Sequence, residues 1–182
     1  MTDTVDRNCH MEKSIMQYLF TFILLLVCDY AQAQAATYQD DVLTVPQGAI
    51  LDVNNPAFFN DIQLNSTGDG NFQLLAAIAA NLVSVDSVAI NIMESFPVQV
   101  SVTVAGNKSV PCVDLQSPAI GRQENLFVVV LAETTLGPAE SCIAVLDPFE
   151  TSFSLEVAGL IAGTYSVNVN GVVAEFTLDT DN

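Results

Sequence analysis

The chain contains no tryptophan, one histidine and only four lysine and arginine residues, against twenty-one aspartates and glutamates. Each scarcity removes a class of function. Histidine most often supplies the base that titrates near neutrality in a nucleophile–base pair, and the single one here is His10, at the very start. Ser-His-Asp and Cys-His catalysis and His-ligated zinc are excluded in their usual forms. A phosphate clamp needs several cations, and a formal net charge of −17 repels nucleic acid and anionic membrane surfaces. Neither a Walker-type glycine loop nor a strand-linked Gly-x-Gly-x-x-Gly is present. No cofactor is expected.

What is present begins with a leader. "LFTFILLLV" (19–27) is a short apolar run with Lys13 ahead of it and "AQAQAA" (31–36) behind. Charge, apolar run and small-residue site predict a signal peptide over residues 1–35, cleaved after Ala33 or Ala35. A membrane-spanning helix needs roughly 20 apolar residues, so no transmembrane segment is expected in the mature chain. The polar start "MTDTVDRNCH" is unusual for a leader, and Met11 or Met16 offers an alternative initiation point. The rival is a lipid anchor on Cys28, but Val27 stands where such sites usually carry a small residue. The expected location is periplasmic or extracellular.

Loss of the leader takes away four acids and two bases. Seventeen acids then stand against Lys108 and Arg122, a net charge of −15. A solubilising acidic surface is the simple reading; as a binding surface it favours basic or calcium-bridged partners, with salt-dependent association. Cys9 and Cys28 leave as well, so Cys112 and Cys142 remain as the only pair in an exported chain. A disulfide between them is expected.

The remainder reads as all-β. "VQVSVTV" (98–104) alternates strictly, with Val98, Val100, Val102 and Val104 on one face. "SVAINIM" (87–93) repeats the pattern through Val88, Ile90 and Ile92. "LFVVVLA" (126–132) is apolar on both faces, which predicts a central strand covered on both sides. "SFSLEV" (152–157), "TYSVNV" (164–169) and "VVAEFTL" (172–178) point Phe153, Leu155, Val157, Tyr165, Val167, Val169, Phe176 and Leu178 inward. Asn170-Gly171 joins the last two, as a two-residue type I′ turn requires. Tyr165, early in a late strand, is placed like the tyrosine corner of immunoglobulin-like folds. Residues 85–182 are therefore expected to form an immunoglobulin-like antiparallel β-sandwich, although the buried tryptophan of antibody domains is missing.

Residues 36–84 predict a small β-meander. A strand in "YQDDVLTVP" ends at Pro46, "AILDV" and "FFNDIQLN" follow around "NNPA" (54–57), and "FQLL" returns after the turn "STGDGN" (66–71). "LLAAIAANLV" (74–83) has helical composition. Lys108, in "GNKSVP", reads as a solvated turn lysine, and Phe149, after Pro148, as a loop residue pinned into the core.

Together, "ESFPVQVSVTVAGN" (94–107), Cys112, "SCIAVLDPFE" (141–150) and "AGTYSVNVNGVVAEFTL" (162–178) resemble a group of exported bacterial proteins of unassigned function that carry a two-cysteine immunoglobulin-like module. "YQDDVLTVPQGAI", "FFNDIQL" and "GDGNFQL" resemble a short β-unit of exported proteobacterial chains. The resemblance implies fold and location and offers no catalytic residue.

Carboxylates are the remaining chemistry. Asp40, Asp41 and Asp69 are weak calcium candidates, but Ala76 stands where a calcium loop would put its bidentate glutamate. Asp179 and Asp181 read as solvated acids, and the sequons at Asn65 and Asn107 are short enough to arise by chance. The expectation is an exported, non-catalytic β-sandwich module that binds an unidentified protein or serves the cell envelope. A protease-inhibitor-like module is the alternative, and a carboxylate-dependent hydrolase the third reading.

Overall fold

The strict alternation of residues 98–104 is realised in the strand that organises the molecule. In the computed structural model, which describes Ala35–Asn182 except Glu94, this strand runs from Gln99 to Lys108 and buries Val100, Val102 and Val104. The leader, its cleavage sites and Cys28 lie outside the described residues. The strands in chain order are β1 (Thr37–Gln39), β2 (Val42–Ile50), β3 (Ala57–Ser66), β4 (Phe72–Ala79), β5 (Ser84–Met93), β6 (Gln99–Lys108), β7 (Ala119–Gln123), β8 (Leu126–Val130), β9 (Asp147–Leu155), β10 (Gly163–Val169) and β11 (Val172–Leu178).

They form three sheets, ordered β1-β2-β3-β4, β5-β6-β9 and β11-β10-β8-β7. The second and third make the sandwich. Between them lies a continuous core of Val100, Val102, Val104, Leu155 and Val157 from one side and Phe127, Val129, Leu131, Tyr165, Val167, Val169, Phe176 and Leu178 from the other. The rings of Phe127, Tyr165 and Phe176 meet at centroid distances of 5.5–6.3 Å, within the range of favourable aromatic pairs. The Tyr165 hydroxyl donates to the Ile161 carbonyl at 2.8 Å, so the tyrosine corner is present. The ladders are antiparallel except that between β8 and β10, which is parallel. β9 lies between these strands in sequence but in the opposite sheet, so the chain crosses over and returns in the direction it left.

The first sheet covers the outer face of β8. Phe58 packs on Val130 and Ala132, with Ala49, Leu51, Ala80, Leu82 and Ala119 around them. A Cβ on Gly121 would come 2.4 Å from the Leu51 side chain, so the glycine leaves room for this contact. β8 is thereby buried on both faces, and its doubly apolar sequence follows from that position.

Four local expectations are corrected. Residues 74–79 are strand, not helix: the alanine-rich segment continues β4 and pairs with β3 from Ser66–Phe72 to Phe59–Ala79, with two register shifts on the way. β2 does not stop at Pro46 but runs on to Ile50, absorbing the start of "AILDV". Beyond Thr44, β1 no longer pairs with β2, so the missing proline N–H falls where β2 has become an edge. Ile92 is exposed, whereas Val88 and Ile90 pack against the core. Lys108 ends β6 rather than sitting in a turn.

Asn170 and Gly171 carry φ values of 47° and 95°, the positive pair a type I′ turn demands. Nothing lies within 4 Å of where a Gly171 Cβ would be, so a substitution there meets no clash. Gly171→Val is expected to destabilise by about 1–3 kcal/mol through backbone strain alone. Thermal unfolding checks this; an unchanged midpoint would refute it.

Candidate functional site

Three segments converge where β6 and β8 end. The stretch after β8 is clamped on one side by Val83 N–H to Leu131 O (3.2 Å) and Glu133 N–H to Asn81 O (2.9 Å). On the other side Gln116 N–H bonds to Ala132 O (2.9 Å) and Thr134 N–H to Asp114 O (2.8 Å). Polar side chains complete the junction. The buried Glu133 carboxylate accepts from the Ser109 backbone N–H at 2.8 Å and from the Ser109 hydroxyl. Gln116, also buried, donates to Glu133 O and accepts from Gln47 Nε2, each at 2.9 Å. This chain of bonds ties β2 of the meander to the sandwich. A buried carboxylate is tolerated only when its lone pairs are satisfied. Sequence reading passed over Gln47, Gln116 and Glu133; an acid directly after an apolar run was the available signal.

Lys108 and the two cysteines frame the exposed side of this junction. The Lys108 ammonium donates to Val113 O at 2.7 Å and pairs with Asp147 at 2.9 Å. It is mostly buried rather than solvated, because its cross-strand neighbour on β9 is Asp147. The Cys112–Cys142 disulfide is present, with Cα atoms 6.0 Å apart. It joins the β6–β7 and β8–β9 connections and does not bridge the two sheets.

Between the disulfide and the ion pair runs Ile143-Ala144-Val145-Leu146. It adopts no regular structure, and Val145 N–H folds back to Ile143 O at 3.0 Å. Ile143 is 70% exposed and Leu146 65%. An apolar tetrapeptide held away from the core and tied at both ends is preorganised to enter an apolar pocket, since little ordering entropy is left to lose. Phe149 lies within β9, opposite Gly106, rather than in a loop, and packs against the core as expected.

Of the carboxylate candidates, Asp41 and Asp69 are engaged by hydrogen-bond donors, and the turns that carry them lie side by side, with Ser66 N–H donating to Asp41 O at 2.8 Å. Asp40 and Asp41, at φ 52° and 63°, form the two-residue turn between β1 and β2, and Asp41 accepts from the Tyr38 hydroxyl at 3.1 Å. Asp181 accepts from Ala162 N–H at 2.8 Å. Among the described residues, no group of three or more His, Cys, Asp or Glu side chains is placed to hold a metal ion. Ser166 donates to Glu175 at 3.3 Å, an exposed contact between cross-strand neighbours.

Asp69 accepts bonds from the Thr67 hydroxyl and from Asn71 N–H, and these hold its carboxyl below its ordinary value. A depressed native pKa supports the β3–β4 turn above the unfolded value and loses that support as pH falls through the native one. Protection factors at residues 68–71, with the intrinsic pH dependence of exchange divided out, are therefore expected to fall in acid. Asp69→Asn should remove that pH dependence; identical profiles in the two proteins would refute it.

A family model described as the ORF11 beta-sandwich domain matches residues 102–178, from β6 to the end of β11. Searches of curated proteins and of solved structures return no match. This chain is thus similar to a β-sandwich family over the part of its length that forms the sandwich core.

Proposed function

We propose that this chain is an exported, non-catalytic binding module that engages a protein partner through the segment Ile143–Leu146. The carrying observation is that this apolar segment is exposed while both its ends are fixed, by Cys112–Cys142 and by Lys108–Asp147. Export is supported by the disulfide, which persists in oxidising compartments, and by the leader-like residues 1–35. The resemblance to exported bacterial two-cysteine modules agrees with this reading. The acidic surface adds a preference for basic or calcium-bridged partners and a salt-dependent approach.

Capture from periplasm or culture fluid tests it directly. A partner retained by the natural chain should be lost with Ile143→Asp/Leu146→Asp, whereas an unchanged captured set would refute the loop. The non-catalytic reading fails if a hydrolase panel finds turnover that a single Asp or Glu substitution abolishes with stability intact. Calcium titration of the melting temperature separates direct from calcium-bridged binding.

A second reading is favoured by the same tethering. A loop fixed at both ends can occupy a peptidase cleft and resist cleavage, as an inhibitor requires. Loss of activity of an endopeptidase selective for aliphatic residues, restored by Leu146→Asp, would select this reading. Rapid cleavage within 143–146 would reject it.

A further inference from the structure

β4 is the outer strand of its sheet, and its ladder with β3 uses only one side of its backbone. The other side offers a row of N–H and C=O groups for pairing. All eight residues are exposed, and Phe72, Leu74, Leu75 and Ile78 each show about half of their surface or more. Natural sheet edges are blunted by charges, proline, brevity or bulges. This one has neither charge nor proline, for none stands between Asp69 and Asp86, and its guard is limited to the register shifts of its ladder with β3.

We propose that β4 pairs with β4 of a second copy of this chain, antiparallel about a two-fold axis, uniting two four-stranded sheets. Three observations favour this occupant. The first is self-complementarity. In a register centred on Leu75, Phe72 of one copy faces Ile78 of the other, and Leu74 faces Ala76. Leu75, on the axis, has no partner in the β3 ladder, and a second register shift lies at Ala77, within one half of the strand. The second is charge. Beyond residue 34 the chain carries seventeen acids and two bases, so two copies repel except where neither is charged, and β4 lies in such a stretch. A basic partner would instead be drawn to the carboxylates elsewhere. The third is area. The four large side chains expose on the order of 400 Å² per copy, within the range of the largest apolar patch on an ordinary monomer, a patch that is often functional. With backbone and flanking residues, two copies approach the roughly 1,200 Å² lower bound of specific interfaces. A contact no larger than that bound is expected to be a weak, reversible dimer. The contact consumes both β4 edges, so assembly closes at two copies.

Sedimentation of the full chain from about 1 µM to 1 mM tests the proposal, in low salt and at 1 M, where the Debye length falls to about 3 Å. Mass should double with concentration, and salt should strengthen the association. Hydrogen exchange across the same range should show concentration-dependent protection at residues 72–79. Leu74→Lys/Ile78→Lys, at exposed positions that leave the core untouched, should weaken association at least tenfold and abolish that protection. The proposal is overturned by a monomer throughout, by growth beyond the dimer, by weakening in salt, or by protection confined to another segment. Association unaffected by the double variant would overturn it equally.

Discussion

Asn170→Gly is expected to lower stability by about 3 kcal/mol even though glycine adopts the positive φ of this position without strain. The reason is the side chain. Its Oδ1 accepts from Leu131 N–H at 3.0 Å, and its Nδ2 donates to Leu131 O at 2.7 Å and to Val83 O at 3.0 Å. Leu131 and Val83 are both buried, so water cannot readily replace these bonds. A buried polar group left unpaired costs about 1–3 kcal/mol. Two groups, Leu131 N–H and Val83 O, lose their partner together, while Leu131 O keeps Val83 N–H, which places the sum at about 3 kcal/mol. The same bonds join the hairpin to the strand end of β8 and to the segment leading into β5, so their loss should loosen all three. Urea unfolding of the single variant measures the effect. A change below about 0.5 kcal/mol would mean that Asn170 serves the turn alone. Asn170 and Gly171 adjoin, so the effects of changing both are not expected to add.

Removing the disulfide is expected to cost a similar amount by a different route. The bridge spans a sequence separation of 30, and the chain-entropy relation gives roughly 3–4 kcal/mol for a loop of that length. Cys112→Ser/Cys142→Ser, or reductant on the natural chain, should lower the melting temperature by on the order of 10 °C. The sandwich itself should survive. Its core lies in strands the bridge does not touch, and Lys108–Asp147 still holds the start of β9 against the end of β6. The Ile143–Leu146 segment then loses one of its two anchors. If it is the binding surface, affinity should fall on reduction even well below the melting temperature. Unchanged stability in reductant would refute the first expectation, and unchanged affinity the second.

The two variants also separate local from distant information. That Asn170-Gly171 makes a type I′ turn was legible in the dipeptide, because positive φ at two successive residues is a local steric demand. That Asn170 also clamps Leu131 and Val83, 39 and 87 residues away, was not legible, since neither partner is near it in the chain. The disulfide was legible by counting cysteines. The apolar segment beside it, tied down at both ends, was not, because its second tie depends on β6 and β9 lying side by side.

Alternation marked β6, β10 and β11 without ambiguity, and a run apolar on both faces marked β8 as central. Both patterns are periods of a single strand and need no partner to be read. The alanine-rich stretch of β4 misled, because composition alone leaves a short apolar run open to helix or strand, and pairing with β3 settled it. The sequence by itself determined the all-β class, the inward residues of the sandwich apart from Ile92, the hairpin turn and the cysteine pair. Only the tertiary structure decided that the meander covers β8, that Gln47, Gln116 and Glu133 join in a buried polar junction, and which apolar residues stay in solvent. Burial of a given side chain is a property of what the fold brings against it, and that is set by contacts between segments far apart in sequence.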